Sequence, residues 1–139
     1  MNEYMKLAIK EAHKAYKCGE IPVGAVIVRN GKIIARAYNK RERKHISTYH
    51  AEILAINKAS KKIKNWRLND CELYVTMEPC MMCCGAILQS RITKVVFGIE
   101  NENYGYSREL EKNNVQVVKN ICKDECKKIV QKFFAEKRD

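Results

Sequence analysis

Apolar residues at Met5, Ala8, Ile9, Ala12 and Tyr16 recur at helical spacing, and Gly19 then breaks the pattern as a C-terminal cap, which predicts a helix over 2–18. The stretch VGAVIVRNGKIIARAYN changes period. Two β-rich runs flank Asn30-Gly31, the preferred pair for a two-residue turn, and predict antiparallel strands over 23–29 and 32–38. Helical spacing returns in STYHAEILAINKASKKI, residues 47–63, with Ser47 or Thr48 as the N-cap. ELYVT, 72–76, reads as a short buried strand, and Pro79 as a first-turn residue of a helix reaching about Ser90. KVVFGI (94–99) and VQVVK (115–119) are two further strands, and 122–137 is a final amphipathic helix. No internal repeat or low-complexity linker interrupts this order.

From 47 to 98 helix and strand alternate, which implies parallel pairing through right-handed crossovers, added to the initial antiparallel hairpin. The expected architecture is α/β: a five-stranded mixed sheet with helices on both faces. Ligands bind such sheets where strands give way to helix N-termini. Two motifs, HAE at 50–52 and EPCMMC at 78–83, fall there.

Composition narrows the class. A chain of 139 residues suits one domain with its own core, so a single domain over 1–139 is expected. The apolar runs are too short for a membrane span, and the N-terminus has no signal-peptide core, so a soluble, cytoplasmic protein with no membrane partner is expected. Seven cysteines are an odd number and argue against a disulfide framework, leaving free thiols or metal ligands. The formal charge is +11 and is clustered: Lys40, Arg41, Arg43 and Lys44; Lys58, Lys61, Lys62, Lys64 and Arg67 around Trp66; and Lys119 to Arg138. Such clusters can follow a phosphate backbone, with an aromatic for base stacking. A solvated lysine-rich helix surface explains the same pattern.

Cys80 and Cys83 stand three apart on a predicted helix, on one face, near an N-terminus whose partial positive charge favours thiolates. Cys84 points about 100° further round and reads as a small buried hydrophobe. Two thiolates do not complete a tetrahedral zinc shell, and His50, opening the preceding helix, is the candidate third ligand. Three protein ligands leave one coordination position open, the pattern of a catalytic site. Glu52, close by, is then placed as a proton shuttle. The alternative is an all-thiolate site in which Cys122 and Cys126 join Cys80 and Cys83, but it leaves His50 and Glu52 without a role. His13 and His45 are expected on the surface.

With these motifs the chain resembles the zinc nucleobase deaminase superfamily, defined by H-x-E and P-C-x-x-C. Within it the sequence is most similar to the bacterial tRNA-specific adenosine deaminases, the TadA family. The resemblance rests on GEIPVGAVIV, YN, HAEILAI, NWRL, LYVTMEPCMMCCGAI, SRI and VVFG in that order, across nearly the whole chain. It implies a cytidine deaminase-like three-layer α/β/α sandwich, a CMP/dCMP-type deaminase domain over 1–139, and a homodimer. It also implies Zn2+ on His50, Cys80 and Cys83, with Glu52 moving protons. Asn39 matches the family's contact to the target nucleoside, where the residue type alone also fits a turn; Val23 and its PVGA neighbours match the wall of the base pocket. Two segments depart from the family. Ile46, Ser47, Thr48 and Tyr49 replace Asp-Pro-Thr-Ala before the HAE motif, which makes Tyr49 a candidate substrate contact. IENENYGYSREL replaces an Asp-containing, Gly-rich loop, and Asn101 takes the place of the Asp beside the sugar of the flanking nucleotide. The expected activity is adenosine-to-inosine conversion at the wobble position of a tRNA anticodon loop. The alternative substrate is a free base or nucleoside of the guanine or cytosine type. A non-catalytic RNA-binding subunit with structural zinc is a third reading, against which Glu52 argues.

Overall fold

The computed structural model describes residues 1–137; Arg138, the last of the third basic cluster, lies outside the described residues. The elements run α1 (Asn2–Lys17), β1 (Gly24–Arg29), β2 (Lys32–Tyr38), α2 (Arg41–Lys44), α3 (Ala51–Ile63) and β3 (Cys71–Met77). They continue α4 (Met81–Gln89), β4 (Lys94–Ile99), α5 (Ser107–Lys112), β5 (Gln116–Val118) and α6 (Lys123–Lys137). One mixed sheet has the order β2-β1-β3-β4-β5. β1 is antiparallel to β2 and to β3, whereas β3, β4 and β5 are mutually parallel.

The inner strands β1, β3 and β4 are buried along almost their whole length because both faces are covered, whereas the edge strand β2 exposes Lys32 and Arg36. Ala25, Ile27, Leu73, Val75, Val95 and Phe97 point into one layer with Ala51, Ala55 and Ala59 of α3, Cys84 and Ile87 of α4, and Leu110 of α5. Val26, Val28, Tyr74 and Val96 point the other way, against Met5, Ala8 and Ile9 of α1 and Cys126 of α6. The result is the expected α/β/α sandwich. Alanines at i, i+4 and i+8 let α3 lie close on the sheet. On the opposite face α1 approaches so closely that a Cβ on Gly24 would collide with the Ala8 carbonyl oxygen and lie 2.5 Å from the Ala12 nitrogen.

The first hairpin turns where expected, with Asn30 and Gly31 at φ 51° and 76°, the positive pair that a type I′ turn requires. Gly19, at φ +77°, ends α1 as expected, just past the C-cap residue Cys18, with Glu20 N–H donating back to Ala15 O at 3.0 Å. Two helix starts differ from expectation. α3 begins at Ala51 with His50 as N-cap, not at Ser47 or Thr48, because residues 40–49 close into their own loop: Lys40 N–H donates to Tyr49 O at 3.0 Å and Tyr49 N–H to Ile46 O at 3.1 Å. α4 begins at Met81 with an extended Cys80 as N-cap, so Pro79 precedes the helix instead of opening it. α2 and α5 were not expected from the pattern. Among the described residues no helix is long and apolar enough to cross a membrane.

Candidate active site

Four strands bring the site together at one end of the sheet. Gly24 pairs with Tyr38, so Val23 before β1 and Asn39 after β2 lie side by side. Met77 pairs with Ile99, which sets Glu78 to Cys80 beside Asn101 at the C-terminal ends of the parallel strands β3 and β4. The N-termini of α3 and α4 converge on the same spot, and both caps, His50 and Cys80, have extended backbones. Neither cap makes a side-chain capping bond. The side chains turn towards each other instead.

His50 Nδ1 lies 3.7 Å from Cys80 Sγ and 3.6 Å from Cys83 Sγ, and the donor atoms of the three residues all lie within 4.8 Å of one another. A tetrahedral ion with zinc's bond lengths, ~2.3 Å to sulfur and ~2.0 Å to nitrogen, places those atoms about 3.6 Å apart. The three residues fit such an ion. The electrostatics agree, since a hydrogen bond from Cys83 pulls the Cys80 thiol down to about 3 and the same bond holds Cys83 far above the usual thiol range. The Cys80 sulfur in turn raises the His50 imidazole. A divalent ion replaces such shared protons when it binds.

The all-thiolate alternative does not form. Cys126 is buried in the layer on the opposite face of the sheet, with half-buried Cys122 beside it, and neither joins the cluster. Cys84 is fully buried, and its thiol donates to Pro79 O, as expected of a small hydrophobe. His13 and His45 are exposed.

Glu52 is 4% exposed, and burial pushes its carboxyl up to about 7 against the opposing pull of its own backbone N–H and of His50. In the first turn of α3, it lines a cavity of about 810 Å3. Val23, Asn39, His50, Glu52, Cys80 and Asn101 all line this cavity. Tyr49 does not line it; half-buried, it closes the 40–49 loop through its backbone. Asn39 is buried, its Nδ2 donating to Ile21 O at 3.3 Å and its Oδ1 accepting from Arg41 N–H at 3.2 Å, so it also braces the wall.

Among the lining residues that sequence reasoning did not single out are Glu20, Arg41 and Glu78. Glu20 and Glu78 accept backbone N–H bonds from segments 22 to 29 residues away. A one-dimensional pattern carries no sign of such partners. Arg41 stood within a basic cluster whose members the sequence did not distinguish.

The fold and this donor set define a deaminase. The chain belongs to the MafB19-like deaminase family, whose model matches residues 1–138. It is 47% identical to the tRNA-specific adenosine deaminase of Bacillus subtilis (strain 168), over 97% of this chain and 89% of that protein. A structure from work on A-to-I editing by tRNA:A34 deaminases at the wobble position of transfer RNA superposes with a TM-score of 0.88 at 33% identity, covering 93% of this chain and 99% of the other. A guanine deaminase from Bacillus subtilis superposes with a TM-score of 0.67 at 35% identity, covering 82% of this chain and 69% of that one.

Proposed function

We propose that this chain is a zinc-dependent hydrolase converting adenosine to inosine at the wobble position of a tRNA anticodon loop. The observation that carries the reading is a buried carboxyl, Glu52, lining a cavity of about 810 Å3 with His50 and Cys80 of the His50, Cys80 and Cys83 trio. The near-full-length similarity to a tRNA-specific adenosine deaminase supplies the substrate.

His50, Cys80 and Cys83 would hold the ion. Zinc, when bound, supplies Lewis acidity that makes water a competent nucleophile near neutral pH. Glu52 takes one proton from the attacking water and gives it to the adenine ring nitrogen, then takes the second from the hydroxyl added to the ring carbon and gives it to the departing amine, which leaves as ammonia. Burial favours its neutral form, so it keeps that proton until the substrate takes it. Val23 and Met77 give the cavity apolar wall for a base, and Asn39 lies where the nucleoside must pass. A loop adenosine is unpaired, so extruding it into this cavity costs little. The +11 charge favours a polyanionic partner. With this activity we place a single deaminase domain over 1–139, assembly as a homodimer, and a cytoplasmic location.

Glu52→Ala is the test: the variant keeps about one zinc per chain and loses deamination of a wobble-adenosine stem-loop. Near-normal turnover by that variant refutes the mechanism. A free-base substrate is the second reading, favoured by the likeness to a guanine deaminase. Assaying free guanine, cytosine and adenosine beside the stem-loop separates the two readings.

A further inference from the structure

Glu20 is fully buried, just beyond the end of α1, yet its carboxylate is spent on a distant segment. Its Oε1 accepts from Glu42 N–H at 3.0 Å and its Oε2 from Arg43 N–H at 2.6 Å. Asn39 Oδ1 takes the preceding donor, Arg41 N–H, at 3.2 Å. Three successive backbone donors of α2 are therefore held by two buried side chains. Burying a carboxylate is costly unless it is hydrogen-bonded, and bonds to an ionised acceptor are the strong ones. The rest of the segment is tied down as well: Lys44 N–H donates to Lys40 O at 3.0 Å, and His45 closes the turn at φ 57°.

This rigid backbone carries four cations against one acid, Glu42. Lys40 lies over the Tyr38 ring, 4.8 Å from its centroid, and Arg43 Nη1 donates to Tyr38 Oη at 3.3 Å. Arg41 instead lines the same cavity as Glu52, and among the described residues no carboxylate pairs with it. A guanidinium presents a fork that matches phosphate oxygens. A nucleotide whose base enters the cavity leaves its phosphates towards solvent, and Arg41 is an exposed residue of that cavity's lining.

We propose that Arg41 binds a backbone phosphodiester next to the target nucleotide, and that Glu20 is the positioning residue that holds the Arg41–Lys44 arm in place for it. The assignment rests on the nucleic-acid reading above. It places one phosphate subsite on a segment anchored from inside the protein.

The probe is a wobble-adenosine anticodon stem-loop RNA, with Kd and KM measured over a range of salt. Arg41→Ala weakens binding about tenfold, the scale of one lost charge-assisted bond, and makes the slope of log Kd against log salt shallower by about 0.7. Glu20→Gln gives the same slope change and raises KM while kcat falls less than about threefold. The double variant binds no worse than Arg41→Ala, because both changes remove one contact. Unchanged affinity and slope in Arg41→Ala overturn the proposal, and so do additive losses in the double variant. If Glu20→Gln does not fold, the exposed Arg41→Ala decides alone. Failure of the wild-type enzyme to bind the stem-loop while it deaminates a free base overturns the substrate reading together with this one. Tight wild-type binding that Arg41→Ala leaves intact overturns this one only.

Discussion

Ser107 makes two hydrogen bonds to one oxygen of Glu78: its Oγ donates at 2.6 Å and its N–H at 3.2 Å, both to Oε2. The other oxygen, Oε1, accepts from Asn101 N–H at 3.1 Å. One carboxylate, two residues before a metal-ligand candidate, thus closes the loop that brings Asn101 and Tyr104 to the cavity. Gly105 lies flat against it, where a Cβ would lie 2.5 Å from the Glu78 carboxyl carbon and closer still to Oε1.

Glu78→Ala removes all three acceptor contacts and leaves the loop to find water. The expected loss is about 1–3 kcal/mol of stability, read as a lower denaturation midpoint, with KM for the stem-loop rising more than kcat falls. An unchanged KM would show that the loop does not shape the substrate site.

Gly24→Ala tests the close approach of α1 to β1. The added methyl meets the backbone of Ala8 and Ala12, which are helix atoms with no side-chain freedom to yield. Overpacking of this kind costs about 1–3 kcal/mol. A melting temperature equal to wild type would mean that α1 can slide outward without loss.

The cysteines separate by environment. Cys18 is exposed, whereas burial pushes Cys84 and Cys126 each up to about 12 and Cys71 up to about 11. The thiolate is the nucleophile, so at pH 8 these three are protonated as well as covered. In native protein loaded with zinc, alkylation is expected at Cys18 first, and Cys71, Cys84 and Cys126 react only on unfolding. Chelating the metal adds Cys80, which is half-buried and lines the cavity, to the reactive set. Peptide mapping after timed alkylation reads each position. Equal rates at Cys80 with and without chelator would argue against its role as a ligand.

The strands and long helices were legible because each buries one period of apolar residues: Ala25 and Ile27 against Val26 and Val28, or Ala51, Ala55 and Ala59 along α3. The donor trio was legible because chemistry restricts it to few residue types. What escaped notice lacks such a signal. α2 is four residues long and buries none of them, and α5 has only six. The start of α3 was misread for a related reason. Ser47 and Thr48 are good caps in isolation, but the cap position fell to His50, whose side chain is committed to Cys80 and Cys83 and satisfies no helix N–H. Cys80 does the same at α4. Where a site uses the cap side chains, capping rules misplace the helix start.

Asn101 gives the last test. Its Oδ1 accepts the Tyr104 N–H at 3.2 Å, a local bond that shapes the loop, while the residue also lines the cavity. An aspartate keeps an oxygen for that bond, so Asn101→Asp changes charge and donor capacity with little change of backbone. A carboxylate accepts a hydrogen bond well from a ribose 2′-OH, finds no donor on deoxyribose, and repels nearby phosphate; the amide both donates and accepts and carries no charge. Wild-type protein is therefore expected to deaminate adenosine in single-stranded DNA several-fold faster than Asn101→Asp, with rates on matched RNA loops little changed. Side-by-side single-turnover rates on the two loop substrates measure this. Equal DNA rates would confine Asn101 to its turn with Tyr104.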